Sequence, residues 1–337
     1  MPSNHRLPGE HRDPLLGTAG PIALDRRPPA GPIAIFPAQR AIFVSAVERA
    51  GGVVAPLSAE TRGLIWLAES DSELLAQTLH EHPGIGWVQL PWAGVDAFAG
   101  VLTEFADSPM PIFTSAKGAY SDPVAEHALA LTLAVLRGLP EKARATSWAM
   151  KKLGISLYGR HVVIVGAGGI AVELIRLLAP FDTRVTVVRR SASSLEGADR
   201  TVTVDRLLDV LPDADVVVVA AASTDDTAQL FGATEFAAMK PSAAIVNIAR
   251  GQLVDSLALA ASLASGHLAG AALDVTDPEP LPDGHPLWSA PRCIITSHSA
   301  DTPEMVEPLL VERVGANVAA LLGDGAFVGI VDPRAGY

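Results

Sequence analysis

Residues 162–171 read VVIVGAGGIA, and the fold is decided there. The pattern is G-x-G-x-x-A, with Gly166, Gly168 and Ala171 between an apolar strand and a helical segment, Val172–Leu178. In such a turn the first glycine permits the tight bend and the second lets backbone approach a pyrophosphate. The small third residue allows close helix–strand packing. The helix N-terminus then offers free N–H groups to phosphates. A glycine-rich turn alone is also an ordinary bend, so the weight comes from the flanking strand, helix and next strand. That next strand, RVTVV (184–188), ends on Arg189-Arg190-Ser191. An acid usually stands there to hold the ribose 2′-hydroxyl of NAD. Arg189, Arg190 and Ser191 suit a 2′-phosphate, the plainer reading being a solvated surface loop.

Further Val/Ile-rich runs surround this unit: HVVIV (161–165), DVVVV (215–219), AIVNI (244–248), AGAALDV (269–275) and CIIT (293–296). Continuous runs of this kind mark central strands of a parallel sheet. An earlier series, PIAIF (32–36), GLIWLA (63–68), WVQL (87–90) and PIFTS (111–115), alternates with helical patterns. These are Gln39–Ala50, stopped by Gly51-Gly52, and Asp71–Glu81 with a Ser70 cap. Two α/β domains with parallel sheets follow. Asp122–Trp148 reads as one long helix with Pro123 in its first turn. Its HALALTLAVL segment is apolar nearly all round, so it should be buried between domains or subunits. Pro303–Leu322 reads as a helix crossing back to the first domain. Residues 1–28, rich in Pro, Gly and Arg, read as an irregular arm.

Composition narrows the function. The chain has 337 residues, 49% hydrophobic and 18% charged, enough apolar sequence for two cores. A net charge of −12 argues against nucleic acid or an anionic membrane as partner. The single cysteine, Cys293, makes no internal disulfide, and no Cys/His cluster has metal-ligand spacing. Charges and prolines interrupt the first residues before a signal-peptide core forms. Leu257–Leu273 is short for a membrane span and carries His267 and serines. A cytoplasmic protein without a metal is expected.

With these residues in view, the chain over roughly 30–337 resembles the D-isomer-specific 2-hydroxyacid dehydrogenases. The resemblance rests on VAEH (124–127), VGAGGIA (165–171), NIARGQLVD (247–255), AALDVTDPEPLP (271–282), HPLW (285–288), TSH (296–298) and VDPRAGY (331–337). It implies two Rossmann-like domains. A dinucleotide-binding domain (122–298) is inserted into a flavodoxin-like substrate domain (29–121 and 299–337). It implies Arg250, Glu279 and His298 as catalytic residues and a homodimer. The chemistry suits those types. Arg250 forks onto a 2-keto acid carboxylate and stays charged. His298 donates a proton to the alkoxide formed at C2, and Glu279 orients the ring and stabilises the imidazolium. Each residue alone has an ordinary explanation as a turn residue, a loop acid or a surface histidine.

The resemblance extends the cofactor set to Gly169, Ile170, Ala222, Thr227, Ala249 and Asp274, the last with a strand-end cap as its bland alternative. It places Trp92, Ala93 and Gly94, in PWAGVD (91–96), and Lys117 at the substrate. Arg189 replaces the family aspartate and favours NADP(H), with NAD(H) possible. Thr-Ser-His replaces Thr-Pro-His, so Ser297 removes a rigid φ before His298. Thr276 stands where an aromatic is common. Ile65-Trp66-Leu67 replaces an Arg-Ser that holds a substrate phosphate in some members. That change, and the end of the chain at Tyr337, speak against 3-phosphoglycerate, and Trp66 suggests a small or apolar C3 substituent. The expected activity is an NADPH-preferring glyoxylate/hydroxypyruvate-type reductase. The alternatives are an NAD-dependent D-3-phosphoglycerate dehydrogenase or, in another class, a dinucleotide-sensing corepressor-like protein.

Overall fold

A computed structural model describes residues 22–148 and 152–334. Its residues divide into two compact units, one drawn from Met1–Tyr120 and Pro303–Tyr337, the other Ser121–Thr302. Of the arm expected over 1–28, residues 1–21 lie outside the described residues. Leu24–Arg26 forms one short 3₁₀ turn.

The first unit has four parallel strands, β1 (Ile33–Phe36), β2 (Gly63–Trp66), β3 (Trp87–Gln89) and β4 (Ile112–Thr114), in the order β1-β2-β3-β4. Val54 adds a single parallel bridge to Ile33 on the free side of β1. Counting that position as the second strand, the order is the flavodoxin-like 2-1-3-4-5. The helix Pro303–Leu322 packs on Ala41–Arg49 and on β2. It explains why the chain returns to this unit. Asn317, fully buried, bonds Gln89 Oε1 (2.8 Å) and both backbone groups of Val328. Arg313, also buried, donates to the carbonyls of Ser115 and Lys117.

Two local expectations change here. Trp66 lies in the core, stacked on Phe36 with centroids 4.7 Å apart. It therefore cannot shape a substrate pocket, and Leu67, partly exposed, is the residue at that strand end. Ser70 does not cap its helix. Asp71 precedes Ser72–Glu81 in a left-handed conformation, φ 84°, with no side-chain cap.

The second unit is a seven-stranded parallel sheet: β5 (His161–Val165), β6 (Arg184–Arg189), β7 (Arg200–Thr203), β8 (Val216–Val219), β9 (Ala244–Asn247), β10 (Gly270–Leu273) and β11 (Cys293–Ile295). The order is β11-β10-β9-β8-β5-β6-β7. Strand order reverses between β5 and β8, and such a switch point is where open α/β sheets bind ligands. The edge strand β7 escaped the sequence reading because RTVT is short and has one apolar residue in four.

The expected helix Asp122–Trp148 is two helices, Ser121–Leu136 and Leu139–Ala143. Gly138 between them is left-handed, φ 60°, which ends the first helix. The first packs on Gly169–Leu178, β9 and β10 within its own unit, with Ala128, Leu131, Thr132 and Val135 buried. Leu129, Leu133 and Ala134 are half-buried and Ala130 is exposed, so this helix is not buried all round.

Candidate active site

The carboxyl end of β5 leads into a turn that only glycine fits. Gly166 has φ 118°, and a Cβ there would lie 2.3 Å from the Ala220 carbonyl oxygen. Its N–H donates to Val188 O (2.8 Å), and Ala220 N–H donates to Val165 O (2.7 Å), so β5, β6 and β8 meet at this bend. Gly168 differs: its φ is ordinary, and nothing lies within 4 Å of a would-be Cβ. The protein itself does not require glycine at 168, and the space it leaves is open to an approaching ligand. The helix runs Gly169–Leu178, three residues earlier than expected, with no side-chain cap and no acid in its first turn. Its first N–H groups, including those of Gly169 and Ile170, have no intrahelical partners. With Ala171 buried against the sheet, the cradle fits a dinucleotide pyrophosphate.

Around this bend lie the other residues of the cofactor set. Arg189 ends β6, followed by exposed Arg190 and Ser191. The Thr227 hydroxyl donates to Ala222 O and accepts from Thr224 N–H, both at 2.8 Å, which fixes the turn after β8. Ala249 is buried after β9, its N–H on Asn247 Oδ1 (3.1 Å).

Arg250 follows β9 and is held at both ends. Asn247, fully buried, donates to the Arg250 carbonyl (3.0 Å), and the guanidinium donates to Ala249 O (2.8 Å). Gly251 lets this loop press on the loop after β10. A Cβ at 251 would sit 1.8 Å from the Thr276 carbonyl oxygen.

Asp274, just past β10, is 2% exposed and organises the loop carrying His298. Oδ1 accepts from Thr296 Oγ1 (2.6 Å) and Ser299 N–H (2.8 Å), and Oδ2 accepts from Ala300 N–H (3.1 Å). His127 Nε2 lies 3.4 Å from Oδ1 and 3.0 Å from Thr296 Oγ1. The Asp274 carbonyl accepts from His298 N–H (2.6 Å). Burial by itself raises this carboxyl's pKa, but the bonds from His127, Thr296 and Ser299 outweigh it and hold it down to about 2. Asp274 thus shapes the site as an anchor, whatever else it touches.

His298 Nδ1 meets Glu279 Oε1 at 2.5 Å, with both side chains about half exposed. The sequence pairing of these two is therefore a contact. Ser297 and His298 are both left-handed, at φ 50° and 55°. Proline is locked near −65°. Serine at 297 is thus more than the loss of a rigid residue: this backbone path excludes proline. Asp301 lies close by, its carboxyl pKa raised by burial and by Asp274, against the pull of His298 and Arg250.

Trp92, Ala93, Gly94 and Lys117 belong to the first unit, on loops at the carboxyl ends of β3 and β4. Trp92 Nε1 donates to Glu69 O (3.0 Å), and Ala116 N–H donates to Trp92 O (2.9 Å). Lys117 N–H donates to Ser115 Oγ (3.2 Å). Sequence reading missed Asn247, His127, Thr296, Gly251 and Asp301 as parts of the site. All five lie inside or beside motifs it quoted; the contacts of His127, Thr296 and Gly251 join residues far apart in sequence, whereas Asn247 acts within its own loop.

Residues 129–300 match the model of the D-isomer specific 2-hydroxyacid dehydrogenase, NAD binding domain. An uncharacterized protein of Corynebacterium melassecola is 39% identical over 260 residues, 75% of this chain and 84% of that protein. Mouse glyoxylate reductase/hydroxypyruvate reductase is 35% identical over 189 residues, 54% of this chain and 58% of that enzyme. The match thus spans little more than half the length of that enzyme. A D-isomer specific 2-hydroxyacid dehydrogenase from Xanthobacter autotrophicus Py2, solved with NADPH and MES, superposes with a TM-score of 0.77 at 26% identity. That superposition covers 91% of this chain and all of the other.

Two expectations follow from the loop around His298. Asp274 sits below its ordinary 3.8, at about 2, so its stabilising effect is present above the ordinary value and lost as pH falls through the folded one. The shift corresponds to about 2 kcal/mol. Denaturant unfolding should show wild type and Asp274→Asn converging by that amount between about pH 4 and pH 2; curves that stay parallel would mean the carboxylate is not held. Ser297→Pro should cost more than about 1 kcal/mol, because its φ is incompatible. Ser297→Gly, free to adopt positive φ, should stay within about 1 kcal/mol of wild type. Equal stability of the proline variant in the same unfolding assay would contradict the left-handed path.

Proposed function

The chain belongs to the D-isomer specific 2-hydroxyacid dehydrogenase family, and we propose that it interconverts small 2-keto acids and D-2-hydroxy acids. It works as an NADPH-preferring reductase of the glyoxylate/hydroxypyruvate type. The observation that carries this reading is the His298–Glu279 contact, in the unit that also holds Arg250 and the open phosphate turn. Hydride chemistry at C2 is what a bound nicotinamide supplies. Arg250 binds the substrate carboxylate through its planar fork. Glu279 occupies Nδ1 of His298, which leaves Nε2 to hand a proton to the C2 oxygen in reduction and take it back in oxidation. Trp92, Ala93, Gly94 and Lys117 are proposed as further substrate contacts, on the resemblance. So are the homodimer and the cytoplasmic location. No described helix is long and apolar enough to cross a membrane.

NADPH preference rests on Arg189, Arg190 and Ser191 at the end of β6. An arginine there pairs with a 2′-phosphate, and no carboxylate at that position repels it. The related structure solved with NADPH is in keeping with this choice. A phosphorylated substrate is disfavoured on the resemblance, which puts Ile65-Trp66-Leu67 where members that hold a substrate phosphate carry Arg-Ser.

A panel of 2-keto acids assayed with NADPH and NADH tests the whole reading. His298→Ala should lower kcat by about 10²–10⁴-fold with cofactor affinity nearly intact. A variant within threefold of wild type would remove His298 from the mechanism. No turnover of any 2-keto acid, with NADPH still bound, would favour the dinucleotide-sensing alternative. Better kcat/KM for 3-phosphohydroxypyruvate than for hydroxypyruvate would favour the phosphoglycerate alternative.

Wild type should prefer NADPH by at least about tenfold in kcat/KM, the worth of one charge-assisted bond. Raised ionic strength should narrow the gap. Arg189→Asp should reverse it, because the carboxylate accepts from a ribose 2′-hydroxyl and repels a phosphate. An unchanged cofactor ratio in that variant would take Arg189 out of cofactor selection.

A further inference from the structure

A second imidazole touches the segment that carries His298. His127 lies on the helix Ser121–Leu136, which packs on β10 and β11 in its own unit. Its Nε2 faces two oxygens, Thr296 Oγ1 at 3.0 Å and Asp274 Oδ1 at 3.4 Å. What each oxygen already does decides where the hydrogens are. Asp274 accepts from Ser299 N–H on Oδ1 and from Ala300 N–H on Oδ2, so both of its oxygens are acceptors. Thr296 Oγ1 lies 2.6 Å from Oδ1, and its one proton is spent there. Both oxygens in front of His127 therefore only accept, and Nε2 must carry a hydrogen. The opposite tautomer would set a nitrogen lone pair against two oxygens. Alternatively it would draw the Thr296 proton to itself and leave two acceptor oxygens 2.6 Å apart.

We propose that His127 is a positioning residue for His298: its Nε2–H commits the Thr296 hydroxyl to Asp274, and Asp274 holds the His298 backbone. The Asp274 carbonyl accepts from His298 N–H (2.6 Å), and its carboxylate takes the N–H groups of Ser299 and Ala300. Thr296 N–H, on Leu273 O (2.9 Å), ties the near end of the same segment. Without a donor at 127 the Thr296 hydroxyl is free to turn, and the left-handed pair Ser297 and His298 loses one of its restraints. This rests on the 2-keto acid reading above and deepens it by adding a residue that acts through Thr296 and Asp274 and not on the substrate. Its effect belongs to kcat.

Two substitutions at 127 separate a donor from a filler. His127→Leu keeps bulk without a donor, and His127→Gln offers an amide N–H in its place. With a 2-keto acid and NADPH, His127→Leu should lower kcat by about tenfold, the upper worth of one hydrogen bond, while KM and the Kd of NADPH change little. His127→Gln should recover most of that loss. Equal losses in both variants, or a lowered Tm with kcat intact, would mean that His127 only packs and would overturn the proposal. In a Thr296→Val background His127→Leu should cost nothing further, because the hydroxyl it acts through is gone; losses that multiply would contradict the chain of contacts. Nitrogen NMR of the imidazole rings gives a readout that needs no turnover. The His127 ring should carry hydrogen on Nε2, and a ring protonated on Nδ1 alone would sink the proposal. His127→Ala serves in place of the leucine variant if that one does not fold. Wild type that turns over no 2-keto acid, with the Nε2 hydrogen in place, would instead overturn the 2-keto acid reading, and the positioning role with it.

Discussion

The Asp274 carboxylate is the contact on which the site depends. Burying an ionised carboxylate costs several kcal/mol unless partners answer it. Asp274 is answered by a hydroxyl, two backbone N–H groups and an imidazole. Those same partners are what fix the segment from Thr296 to Ala300. The two left-handed residues in it, Ser297 and His298, are each strained by about 1–3 kcal/mol. They persist because the backbone on either side is tied to one anion. The orientation of the His298 ring is therefore set in two steps. Asp274 places the backbone, and Glu279 then takes Nδ1.

The parallel sheets explain why the chemistry gathers where it does. In the second unit Arg189 ends its strand, and Gly166, Ala222, Arg250, Asp274 and His298 follow the carboxyl ends of theirs. In the first unit Leu67, Trp92 and Lys117 do the same. A parallel sheet directs every such loop to one edge, so residues far apart in sequence share a neighbourhood. Extra rigidity comes from buried polar groups. Asn247 holds the loop of Arg250, and Arg313 holds the carbonyls around Lys117.

Much of this was legible in the chain because apolar runs report burial directly. The Val/Ile strands of both sheets and the helix Pro303–Leu322 lie where the pattern places them. The G-x-G-x-x-A turn was readable because only glycine satisfies the bend at 166. Pairing Glu279 with His298 came from the family resemblance, and the structure shows the contact. What the sequence withheld was burial of particular side chains and contacts made across the fold. Trp66 looks the same in a sequence whether it faces a ligand or stacks on Phe36. His127 is one residue of a helical motif until the fold brings it to Asp274. Nor does the helical pattern of 122–148 reveal that Gly138 turns left-handed. The arginine at 189 was readable as a departure, since it ends a strand whose place in the fold was already set.

Gly251 has a consequence for how this site is able to change. The loop after β9 and the loop after β10 touch backbone to backbone, with no room for a methyl group between them. Arg250 is on one of these loops, and the other leads to Glu279. A shift in either loop is passed to its neighbour, so Arg250, proposed to hold the substrate, and Glu279, the partner of His298, move as a linked pair. Variation that retunes substrate range is steered away from this seam. It falls on residues whose side chains stand clear of it. Directed evolution of the protein should accordingly find its useful substitutions at the rims of the sheets and few at the junction of these two loops.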